Sequence, residues 1–127
     1  RDIYGWPTIA READAILEEN PNSRKALAVT EWTMGSRMIY YSLPYKNKVF
    51  VIDQRLDQFD FWQKDSPLGY DLIFVNSHFS NEDVAKKFRC GEARVARRID
   101  IVLNGGKVDA IEYVWCRNFQ GPKDENR

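Results

Sequence analysis

Between Arg55 and Asp65 the chain reads RLDQFDFWQKD, which sets Phe59, Phe61 and Trp62 among Arg55, Asp57, Gln58 and Asp60. Rings beside carboxylates and an amide are the groups that recognise a sugar or a lipid headgroup. A ring face lies against a pyranose, while carboxylate and amide take its hydroxyls. The same composition also makes an ordered loop that tucks its rings into the core, and residue types alone leave both readings open.

Other reactive side chains are sparse. His78 is the only histidine and has no cysteine or second histidine at metal-ligand spacing, so no metal site is expected. Ser36, Ser42, Ser66, Ser77 and Ser80 lie in no nucleophile-elbow pattern, and no Cys-His arrangement stands out. No glycine-rich phosphate loop follows a strand, so no nucleotide cofactor is expected. Arg94, Arg97 and Arg98 sit with Glu92 and Asp100 on one predicted strand, where they read as a solvated edge whose charge discourages strand pairing. The alternative is contact with an anionic headgroup. No residue is assigned a catalytic role.

The elements that must position these residues alternate. Pro7 suits a first helical turn, and Ile9, Ala10, Ala13, Ile16 and Leu17 then give one apolar helical face that ends at Asn20-Pro21. KALAVT (25–30) reads as a strand. Residues 31–43 read as a second helix, with Trp32, Met38, Ile39 and Tyr40 for its buried side and Pro44 as its stop. KVFVID (48–53) and DLIFVN (71–76) are strands, separated by the aromatic stretch and a Pro67/Gly69 loop. NEDVAKKF offers a short third helix capped by Asn81.

Residues 92–119 form two long strands around NGG. A three-residue loop at 104–106 sets Ile99 against Ile111 and Val95 against Trp115, matching the apolar sets. That register puts Cys116 opposite Arg94, away from Cys90, so the cysteines read as small buried hydrophobes. A bend between residues 90 and 94 is the route by which the sulfurs could still meet. The expected class is α/β, with a mainly parallel sheet flanked by helices and extended by the C-terminal antiparallel hairpin. In such sheets ligands gather at the carboxyl ends of the strands, and the aromatic stretch follows the second strand directly.

The 127 residues fit one domain, taken as 1–121 with a polar tail at 122–127. Apolar and charged shares of 43% and 30% are ordinary for a globular chain. With 19 acidic against 19 basic side chains there is no electrostatic footprint for nucleic acid. No stretch approaches the roughly 18 apolar residues of a membrane span. The start RDIYGW, lacking both methionine and a signal-peptide pattern, suggests a piece of a longer protein.

Together, DIYGWPTIAREADAIL, MIYYSLPYKNKVFVIDQRLDQFDFW, GYDLIFVNS and YVWCRNFQG resemble the soluble C-terminal domain of polyprenyl-phosphate-dependent membrane glycosyltransferases. That superfamily includes the dolichyl-phosphate-mannose protein mannosyltransferases and the bacterial aminoarabinose transferases. The resemblance runs from Asp2 to Gly121. Its most specific pieces are Gly5-Trp6, the helix ending in YYSLP, and the loop Gln58-Phe59-Asp60-Phe61-Trp62. It implies that a multi-helix membrane portion of the same polypeptide carries the transfer chemistry and the acidic catalytic residues, which match nothing here. It implies an extracytoplasmic location, with a lipid-linked sugar or its acceptor as further partners. The alternative is a stand-alone small-molecule-binding module with the aromatic loop as its lid, and an enzyme complete within these residues is the least supported reading.

Overall fold

A computed structural model describes residues 2–30, 32–52, 66–77, 84–103 and 105–123. The elements are α1 (Asp2–Glu18), β1 (Lys25–Val29), α2 (Trp32–Tyr41), β2 (Val49–Val51), β3 (Asp71–Ser77), α3 (Val84–Lys87), β4 (Glu92–Leu103) and β5 (Gly106–Arg117). One five-stranded sheet has the order β2-β1-β3-β5-β4. β1 runs parallel to both β2 and β3, whereas β5 is antiparallel to β3 and to β4. The class is α/β, but the sheet is mixed, with two pairings of each kind, so the expected mainly parallel sheet is not what is seen. The hairpin outweighs the parallel part: β4 and β5 have 12 residues each, against 5, 3 and 7 for β1, β2 and β3.

Apolar side chains cover both faces, as alternation in the central strands requires. On one face Ile9, Ala13, Ile16 and Leu17 of α1 and Met38 of α2 pack over Leu27, Val51, Ile73 and Tyr113. On the other, Phe50, Phe74, Phe88 and Phe119 form an aromatic layer with Val84 of α3. α1 is also tied to the hairpin by polar bonds. The Tyr113 hydroxyl donates to the Ile9 carbonyl at 2.9 Å, and Arg97 reaches Glu12 at 2.7 Å and Glu19 at 3.1 Å. Arg97 is therefore no part of a solvated edge, while Arg94 and Arg98 are exposed.

Several local expectations change. α1 starts before Pro7 and holds it inside the helix, where its missing N–H forgoes only one early bond. In α2, Met38 is buried as the spacing implies, but Ile39 and Tyr40 are 36% and 64% exposed. The face turned to the sheet is Gly35 with Met38. A β-carbon on Gly35 would collide with Val51, so glycine sets how closely the helix approaches β2.

The hairpin turn is a residue shorter than expected, since Leu103 pairs with Gly106, and a bulge between Ile101 and Val102 restores the expected Ile99–Ile111 pair. A second bulge, at Ala96, then moves Val95 opposite Val114 and Ala93 opposite Cys116. That one-residue shift, with the Gly91 N–H donating to the Arg117 carbonyl at 2.7 Å, carries Cys90 back to Cys116. The two form a disulfide with Cα atoms 5.2 Å apart, where the uninterrupted register had kept them separate. Pro122 and Lys123, read from sequence as tail, are bonded to the chain at Phe88 and Lys87.

Candidate functional site at the carboxyl edge of the parallel strands

β1, β2 and β3 point the same way, so Thr30, Ile52 and Ser77 leave the sheet at one edge. Arg55, Asp57, Gln58, Phe59, Asp60, Phe61 and Trp62 all lie outside the described residues, as do His78 and Asn81. The chain enters the aromatic stretch from Ile52, at the end of β2.

Continuing the strand registers places Ile52, Thr30 and Asn76 in one row across this edge, with Glu112 opposite Asn76 and Arg98 opposite Glu112. Alternation puts the row on the Phe50 and Phe74 face. Asn76, Glu112 and Arg98 thus span about 10 Å on neighbouring strands. Asn76 is only 4% exposed, yet neither oxygen nor nitrogen of its amide has a hydrogen-bond partner among the described residues. A buried amide is stable only when its donor and acceptor find partners, so Asn76 is a polar group that calls for them at this edge.

This row offers an amide that donates and accepts, a carboxylate that accepts, and a guanidinium that donates. Those are the groups that hold a polyhydroxylated ligand. The chain pattern flags Asn76 only as a polar residue closing the apolar run DLIFV, and Glu112 becomes its neighbour only through the β3–β5 pairing.

Two other polar or concave features stand elsewhere. At the opposite edge the buried Asp71 carboxylate accepts from Asn20 (2.9 Å), Asn22 (3.1 Å) and the Asn118 N–H (3.0 Å), and faces Arg117 at 3.5 Å. Burial alone would raise the Asp71 pKa, but these hydrogen bonds and the Arg117 charge hold it below the usual carboxylate value. Every partner there is accounted for, so the cluster ties β3 to the loops around it. The YYSLP motif contributes Tyr40, Tyr41, Leu43 and Pro44 to a groove of about 310 Å³ completed by Pro7 and Tyr45. This groove is lined by the helices and the turn after α2, not by strand ends.

Comparisons with protein-family models, curated proteins and solved structures gave no match to this chain.

Proposed function

We propose that this chain is the extracytoplasmic domain of a membrane glycosyltransferase that takes its sugar from a polyprenyl-phosphate donor. In this reading the domain binds the acceptor or the donor headgroup, or steadies the catalytic membrane portion, and performs no transfer itself. The observation that carries it is the amide of Asn76, without a hydrogen-bond partner among the described residues and in one row with Glu112 and Arg98, at the edge from which the chain enters the Gln58–Trp62 motif. The four stretches that resemble the family supply the chemistry of the ligand. The Cys90–Cys116 disulfide supports an oxidising compartment, since such bonds are rare where thiols are kept reduced. Among the described residues no helix is long and apolar enough to cross a membrane, so the reading assigns the spans to the preceding part of the polypeptide.

The coding sequence upstream of Arg1 tests this. It is expected to encode a long series of apolar helices, and a short reading frame without them would end the proposal. A stand-alone binding module with an aromatic lid rests on the same Asn76 row and differs in requiring no such helices.

A further inference from the structure

Large apolar side chains left exposed on this molecule are not scattered. Of the seven among the described residues, four fall between residues 39 and 45, namely Ile39, Tyr40, Leu43 and Tyr45, with Tyr40 and Leu43 the most exposed at 64% and 63%. The 3₁₀ turn Leu43–Tyr45 follows α2 and, with Tyr40 and Tyr41, lines the groove that Pro7 of α1 completes. Its aromatic wall is braced: Trp6 stacks on Tyr41 with ring centroids 6.5 Å apart, and Tyr40 meets Tyr41 edge-on at 4.9 Å. Tyrosine is an apolar ring with a polar tip, the kind of side chain suited to a boundary between hydrocarbon and water.

Three cations border these rings. Arg37 lies over the Trp6 ring at 6.0 Å, Lys46 is exposed beside Tyr45, and Arg11 stands one turn from Pro7 on the same stripe of α1. The acidic residues of that stripe come further along the helix, where Asp14 accepts from Asn47 Nδ2 at 3.0 Å and Glu18 lies a turn beyond. A chain with no net charge thus presents an aromatic groove with a basic rim.

We propose that this groove and its rim dock on the surface of an anionic lipid bilayer, with Tyr40, Leu43 and Tyr45 entering the headgroup layer and Arg11 and Lys46 meeting lipid phosphates. The inference rests on the proposed function, in which a membrane portion leads into α1; Pro7 is five residues from the start of that helix, about 8 Å along its axis. The rim charge complements an anionic surface, and size weighs against a second copy of the chain. A stable protein interface takes roughly 800 Å² from each partner, whereas these few side chains offer a few hundred. Tethering through the same polypeptide makes the bilayer contact intramolecular, so a weak contact is enough to orient the domain.

The test sediments the chain, at up to millimolar lipid, with phosphatidylcholine vesicles that contain or lack phosphatidylglycerol. Binding only where phosphatidylglycerol is present establishes the contact if it is weakened about fivefold by each of Arg11→Gln and Lys46→Gln and about tenfold by Tyr40→Ser combined with Leu43→Ser. Leu68→Ser and Val102→Ser alter exposed apolar residues outside the groove and are expected to bind as wild type does. No binding to either vesicle, equal binding to both, or an equal loss in these two outside variants would overturn the proposal. Self-association without lipid that Leu43→Ser abolishes would assign the groove to a second copy and overturn it as well. The coding sequence upstream of Arg1 tests the proposed function separately. Apolar helices encoded there without vesicle binding would end this inference alone, and vesicle binding without such helices would end the proposed function alone. The substituted side chains are exposed, so folded variants are expected, and far-ultraviolet circular dichroism checks this.

Discussion

Asn76 and Asp71 occupy the two ends of β3 and show opposite ways of burying a polar group. Asp71 is surrounded by donors, whereas Asn76 has none among the described residues. Replacing Asn76 with leucine is therefore expected to stabilise the protein by about 1 kcal/mol, because it removes a buried amide that has no partner among the described residues. A loss of stability in chemical denaturation would mean that the amide serves the fold. Asp71→Ala should instead cost about 1–3 kcal/mol, since it leaves the buried Asn20 amide without its acceptor. The pH dependence of that cost follows from the sign of the shift. The folded carboxyl titrates below its unfolded value, so its stabilisation is complete above the unfolded pKa of about 4 and is lost as pH falls through the folded one. Denaturation of wild type and Asp71→Ala should thus converge at low pH, and a gap that stays constant down to pH 2 would contradict the assignment.

Elements were legible in the chain where periodicity was strong. The five apolar positions of α1, Ile9 to Leu17, are all buried, and the apolar runs that became β1, β2 and β3 lie where the sequence set them. What the pattern could not carry was anything decided by a partner element. Ile39 and Tyr40 look suited to a core face, but Gly35 sets the side of α2 that approaches Val51 and so turns them outward. The bulge at Ala96 has no signature in the residue types, yet it decides that Cys116 meets Cys90. Asn76, Glu112 and Arg98 are far apart along the chain and become one row only through sheet order. The packing of α2 gives a direct test. Gly35→Ala should destabilise by about 1–3 kcal/mol through overpacking, and adding Val51→Ala should recover part of that loss. Strict additivity of the two changes in denaturant unfolding would show that the close approach is not what glycine provides.

Across the whole molecule, a three-strand parallel unit and a long antiparallel hairpin share one sheet, and a disulfide fastens β5 to the segment after α3. Closing a loop with 26 residues of separation, the disulfide should contribute about 3–4 kcal/mol, which paired Cys90→Ala and Cys116→Ala substitutions would remove. Unchanged unfolding midpoints in reducing and oxidising buffer would show that the fold does not depend on it. The arrangement puts the row of Asn76, Glu112 and Arg98 at the carboxyl edge of the parallel strands. That row carries the proposed function. Its most direct measurement follows the side-chain amide resonances of Asn76 while sugars and short polyprenyl phosphates are titrated into the protein and into Trp62→Ala. The account predicts saturable shifts of those resonances that disappear in Trp62→Ala while the far-ultraviolet circular dichroism is unchanged. An Asn76 amide unmoved by every sugar and polyprenyl phosphate would contradict it.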